Sequence, residues 1–135
     1  MTKPCVVVAD DNESLRYLTV HVLEDHADAP RFDVEEAEDG AAALVAVERR
    51  LAQGARVLLV SDNRMPNMTG LDLVRALRAR HAADAVRVTV LTSAEPPDAT
   101  AEEMGALAVS LVERPADLNA LRGILGRVVQ DWLRG

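Results

Sequence analysis

Aromatic side chains are almost missing from this chain of 135 residues. Tyr17, Phe32 and Trp132 are the whole supply, 2% of the sequence. So few rings cannot build the stacking platform on which single-stranded nucleic acid is held. Cysteine is scarcer. Cys5 stands alone, which rules out an internal disulfide and makes a reducing, cytoplasmic setting the expectation. Cationic charge is short as well. The 15 Lys and Arg face 22 Asp and Glu, for a net charge of -7. That balance argues against sequence-independent binding to nucleic-acid phosphate. No apolar run approaches the roughly 20 residues of a membrane-spanning helix. The opening MTKPCVVVADDN reaches its acids too soon to be a secretory leader. Neither nucleic acid nor membrane is therefore expected as a partner. Repeats, low-complexity tracts and linkers are lacking too.

What is present is an alternation. Hydrophobic residues make up 49% of the chain at a mean hydropathy of +0.01, which suits one folded domain with a sizeable core. Five short stretches read as strands: CVVVA (5–9), FDVEEA (32–37), VLLVS (57–61), VRVTVLT (86–92) and VSLVE (109–113). Three are nearly continuous apolar runs, as strands covered on both faces must be. Between them the period changes to 3.6. Leu15, Leu18, Val22 and Leu23 predict the inward stripe of a first helix. Leu44, Val47 and Leu51 predict a second, with Gly54 at its stop. Leu73, Val74 and Leu77 predict a third after Gly70. A short fourth follows Pro96 and Pro97, with Thr100 and Glu103 spaced as a capping box. The last runs from about Ala116, with Leu118, Leu121, Leu125, Val128, Val129 and Trp132 on its apolar face. Gly123 and Gly126 interrupt it, each about 1 kcal/mol less favourable than Ala. The expected architecture is α/β, five βα units in a doubly wound parallel sheet.

Ligands of such sheets bind beyond the carboxyl ends of the strands. Strand one ends in Asp10 and Asp11, strand three in Asp62, strand four in Thr92 and Ser93, and strand five in Glu113, Arg114 and Pro115. Each acid by itself is an ordinary loop residue or cap, and Asp11 or Asn12 suits the start of the first helix. Together they place three carboxylates, a hydroxyl and a cation in one pocket. A like-charged pair about 4 Å apart costs roughly 4 kcal/mol at an effective dielectric of about 20. A hard divalent cation removes that cost, and Mg2+ favours one or two carboxylates with waters and a phosphate. A phosphoryl group on Asp62 would complete its shell, with Thr92 and Arg114 hydrogen-bonding the remaining phosphoryl oxygens.

These residues resemble the receiver domain of two-component response regulators. Asp10-Asp11 resembles the family's metal-binding pair. Val57 to Gly70, with Asp62 followed by Met65-Pro66 and Gly70, resembles its phosphoacceptor segment. EDGAAAL (38–44) is similar to the start of its second helix, LTSAE (91–95) to the end of its fourth strand, and Arg114-Pro115 stands where the family has Lys-Pro. The likeness spans essentially the whole chain. It implies a flavodoxin-like (βα)5 fold, strand order 2-1-3-4-5, of the chemotaxis-regulator kind. It implies that Asp62 accepts a phosphoryl group from a histidine kinase or histidine phosphotransfer protein. Mg2+ would be bound by Asp11, Asp62 and the backbone carbonyl of Arg64, with Asp10 acting largely through water.

The chain also departs from the family. Arg114 replaces a lysine, exchanging a compact ammonium for a planar fork. Leu111 occupies the aromatic switch position and brings neither ring nor hydroxyl. Arg64 and Ala94 occupy the two positions that tune loss of phosphate; Arg64 is expected to shield the acyl phosphate and Ala94 to leave it open. HADAPR (26–31) lengthens the segment between Asp11 and Asp62.

Only 20 residues follow Pro115, so a single receiver domain over 1–135 without an output domain is expected. Signalling would pass by protein contact through the face of the fourth helix, fifth strand and fifth helix, from a monomer or weak dimer. The alternative is a pseudo-receiver, an interaction module that does not use phosphorylation. An enzyme is not expected. Asp-nucleophile phosphatases want a second acid where Arg64 stands, and a nucleotide site wants a Gly-rich loop where the chain reads ADDNES. His21, His26 and His81 read as surface or half-buried residues, Cys5 as a core hydrophobe, and Trp132 as the anchor of the last helix or an exposed contact.

Overall fold

The computed structural model describes residues 2–92 and 99–135. Five strands, β1 (Cys5–Ala9), β2 (Asp33–Ala37), β3 (Val57–Asp62), β4 (Val86–Thr92) and β5 (Val109–Glu113), alternate with five helices, α1 (Glu13–Glu24), α2 (Gly40–Ala52), α3 (Gly70–Arg78), α4 (Ala101–Leu107) and α5 (Leu118–Arg134). The strands form one parallel sheet in the order β2-β1-β3-β4-β5. This is the flavodoxin-like doubly wound fold. The added HADAPR stretch folds locally, with a 3-10 turn over Ala29–Arg31.

Strand alternation divides the core in two. Val7, Leu59 and Val88 face Ala43, Val47, Leu73, Val74 and Leu77 of α2 and α3. Val6, Val8, Leu58 and Val60 face Val22 and Leu23 of α1 and Leu121, Leu125, Val129 and Trp132 of α5. Cys5 is fully buried in the first layer, and burial pushes its thiol up to about 11, so it behaves as a small hydrophobe. Trp132 is the anchor and not an exposed contact. It packs edge-on against Phe32, with ring centres 6.1 Å apart, under the guanidinium of Arg56.

Two helix faces differ from their expected stripes. In α1 the buried set is Thr19, Val22 and Leu23, while Leu18 stays 38% exposed. The stripe is centred one residue later than the leucines suggest, and it takes in a threonine. In α5 the helix starts at Leu118, capped by Asp117, and Leu118 itself is 39% exposed. The Thr100 hydroxyl accepts from the Glu103 amide at the start of α4, but the Glu103 carboxylate turns to Arg75. A reciprocal capping box instead opens α3, between Thr69 and Asp72. Gly54, at φ +85°, follows the C-cap of α2 as expected.

The sheet's β2 edge is dense with charge. Arg50 bridges Glu35 and Asp33 at 3.0 and 3.4 Å, and Arg49 also pairs with Glu35. Lys3 reaches Asp33 and Arg16 reaches Glu36. Among the described residues, no helix is long and apolar enough to cross a membrane.

Candidate functional site

Strand register brings the acids together. Ala9 of β1 lies beside Ser61 of β3, so Asp10 and Asp62, each one residue further on, emerge side by side. This is where the strand order reverses, between β1 and β3. Asp10, Asp11 and Asp62 each offer a carboxylate oxygen within 4.8 Å of the others. Asp10 is 1% exposed, Asp62 half-buried and Asp11 exposed. Burial raises the Asp10 carboxyl above the ordinary range, against the Asn12 amide and Arg114, which pull it down. Burial also raises Asp62, and the neighbouring Asp10 charge adds to it. The site is thus tense with negative charge. Its three hard oxygen donors suit a divalent cation that keeps its waters.

Backbone holds the acids in place. The Asp10 side chain accepts from the Asn12 amide at 2.9 Å, and the Asn12 side chain caps α1 by accepting from Leu15. Asp11 is thereby left free of capping duty. The backbone amides of Asn63 and Arg64 pull the Asp62 carboxyl down against that rise, and the Asn63 amide donates to the Leu91 carbonyl of β4 at 3.2 Å. Past Asp62 the chain turns tightly. Asn67 takes a left-handed φ of 69°, and the Met68 amide donates to Pro66. The Gly70 amide returns to the Asn63 carbonyl at 2.9 Å. A Cβ on Gly70 would meet the Asp62 carbonyl oxygen at 2.6 Å, so only glycine fits beneath the acid. Met65 plugs into the core, and Met68 lies against Gly40 at the start of α2. The Met65-Pro66 segment is a braced loop under Asp62.

The remaining expected residues are less uniformly gathered. Arg114 follows β5, its amide bonded to the Thr92 carbonyl at 2.8 Å. Its Nη2 donates to Asp10 Oδ2 at 3.1 Å and its Nη1 points to the Thr19 hydroxyl at 3.5 Å. Sequence reading missed Thr19, whose only signal is a hydroxyl nearly two turns into α1. Thr92 is buried at the end of β4. Leu111 is half-buried and packs on the α2–α3 layer of the core. The Arg64 side chain is exposed in the loop after Asp62. Ala94 lies outside the described residues.

Comparison with known proteins agrees with this geometry. Residues 6–125 match the model of the response regulator receiver domain family. A chemotaxis protein CheY of Pseudomonas aeruginosa is 28% identical over 125 residues, covering 93% of this chain and 95% of its own. The chemotaxis response regulator CheY4 of Vibrio cholerae is 31% identical at a TM-score of 0.69, over 94% of this chain and 99% of that one. A CheY-like receiver domain protein of Methanospirillum hungatei is 21% identical at a TM-score of 0.76, over 99% and 100% of the two chains, a likeness of fold.

Proposed function

This chain belongs to the response regulator receiver domain family of two-component signalling, and from that footing we propose that it is a phosphoacceptor whose reacting group is Asp62. The observation that carries the reading is the meeting of Asp10, Asp11 and Asp62 within 4.8 Å at the sheet's switch point. A carboxylate oxygen of Asp62 attacks the phosphorus of a phosphohistidine. The P–N bond breaks as the new P–O bond forms, and the imidazole departs with a proton. Asp11 and Asp62, with the Arg64 carbonyl, would hold Mg2+, and Asp10 would act through its waters. Bound there, the ion would supply charge neutralisation and polarisation of the phosphoryl oxygens. Asn63 and Arg64 amides orient the nucleophile, while Thr92 and Arg114 receive the transferred oxygens. The Arg64 side chain covers the product against water.

The donor is a histidine kinase or histidine phosphotransfer protein. Leu15, Leu18, Pro115 and Leu118 line a groove beside Arg114, an apolar rim at the mouth of the acceptor. Output passes by protein contact through α4, β5 and α5, with the chain acting as a cytoplasmic, stand-alone regulator and not as an enzyme.

One observation favours the pseudo-receiver instead: the Arg114 guanidinium is already engaged by Asp10. The deciding experiment is incubation with Mg2+ and acetyl phosphate or beryllofluoride, followed by mass and amide NMR, with Asp62→Asn as control. Modification at Asp62 with shifts reaching β5 establishes the switch. Modification with shifts confined to the pocket indicates a phosphate relay. No modification and no Mg2+ response establish the pseudo-receiver.

A further inference from the structure

Helix α4 is the most lightly anchored helix of the fold. None of its seven residues is buried, although Leu107 packs in part on the core. Among the described residues, side chains tie it down at both ends, and both ties come from α3. Arg75 and Arg78 are three residues apart and so leave α3 on one side. Arg75 Nε and Nη2 donate to the two carboxylate oxygens of Glu103 at 3.1 and 2.8 Å, gripping the first turn of α4. Arg78 Nε donates to the Leu107 carbonyl at 2.8 Å. That carbonyl belongs to the last turn, which has no helical amide to meet it and whose dipole favours a cation. The chain then leaves the helix at once through Ala108, left-handed at φ 52°. Arg78 is itself fixed from behind by the Val86 carbonyl of β4, at 2.7 Å.

The other end of α3 stands on the acceptor. Gly70 abuts the Asp62 carbonyl, and the Leu71 amide donates to the Asn63 side chain at 3.2 Å. Five of the nine α3 residues are buried, so the helix moves as a body, a rod about 13 Å long. A displacement of the Asp62 loop is therefore passed to the two arginines. The Arg75–Glu103 pair is partly open to water, with side chains 36% and 40% exposed, so it can break and re-form. Leu111, held in apolar packing on the sheet, has no polar contact to exchange.

We propose that Arg75 and Arg78 form a clasp that sets the position of α4, and that through this clasp α3 carries a change at Asp62 to α4. The second half rests on the phosphoacceptor reading and the first does not. The test is amide hydrogen exchange on the full chain. Without Mg2+ or phosphodonor, Arg75→Gln and Glu103→Gln each accelerate exchange of amides 104–108 at least tenfold, while residues 73–78 and 86–92 keep their rates. Arg78→Lys does the same, since its donors all sit on one nitrogen and cannot span the two carbonyls that Nε and Nη1 of the guanidinium reach separately. Arg75→Lys, which keeps a cation opposite both Glu103 and its helix neighbour Asp72, exchanges more slowly in α4 than Arg75→Gln. Unchanged rates in α4, or equal acceleration everywhere, would overturn the clasp. With beryllofluoride and Mg2+, amides 63–69 respond in both wild type and Arg75→Gln, and α4 responds only in wild type. An equal α4 response in both proteins overturns the transmission. A silent 63–69 loop in wild type overturns the phosphoacceptor reading, and the transmission with it, and leaves the first measurement standing.

Discussion

Arg114 and Asp10 lie 104 residues apart in the chain and 3.1 Å apart in the fold, a guanidinium closed on a nearly inaccessible carboxylate. The pair offsets the cost of leaving Asp10 buried among like charges.

Removing the cation strands that carboxylate. Arg114→Gln is expected to cost about 3 kcal/mol in urea unfolding without metal, and Mg2+ should recover part of it. Arg114→Lys keeps the charge beside Asp10, gives up the reach to Thr19, and should cost less than about 1 kcal/mol. Equal stability of the two variants would show that the pair contributes nothing.

Removing the charge of Arg114 and removing that of Asp62 should act in opposite directions. Its carboxyl is raised in the fold, first by burial and then by Asp10. A raised acid binds its proton more tightly folded than unfolded, so stability falls as pH climbs through that range. Asp62→Asn should therefore melt a few degrees higher than wild type at pH 7 in EDTA, on the order of 1 kcal/mol. The gap should close as the buffer is taken to pH 4. A constant gap across that range would assign the effect to packing.

Metal should act through the exposed acid. Asp11 neither caps α1, which Asn12 does, nor sits in the core. Asp11→Ala should fold like wild type in EDTA yet lose the stabilisation by Mg2+, about 2.7 kcal/mol at a hundredfold excess over Kd. Melting temperature against Mg2+ concentration checks this, and an undiminished response would remove Asp11 from the ligand set.

Glycines should divide sharply. Gly70→Ala drives a methyl into the Asp62 carbonyl and should cost about 2–3 kcal/mol while misplacing the acceptor. Gly105→Ala and Gly123→Ala meet nothing within 4 Å and should each stabilise by about 0.5–1 kcal/mol. Thermal unfolding of the three variants suffices.

The strands were legible because burial on both faces leaves unbroken apolar runs, as in CVVVA and VLLVS. Their ends were legible only as a set: each acid alone could be a loop residue or cap, but Asp10, Asp11 and Asp62 with Thr92 and Arg114 at the ends of the right strands point to one pocket. Helix faces were harder to read. Leu18 and Leu118 look inward by composition, but they line the groove beside Arg114, where each stays over a third exposed. Thr19 looks polar, but it sits where α1 crosses Arg114. The clasp had no sequence signal at all: Arg75 and Arg78 are ordinary helix arginines until α4 is laid across them. The destination of Arg114 was likewise invisible, because pairing over 104 residues is decided by strand order.

The two rims of the sheet are unequally defended. Every outward position of β2 carries a fixed charge held by an arginine or lysine, which a foreign strand would have to strip before docking. The β5 rim shows Val109, Ser110, Leu111 and Val112, with one acid at its tip. Among the described residues the β5 rim is thus the less guarded of the two, and Ser110→Lys would give it the kind of charge that β2 already carries.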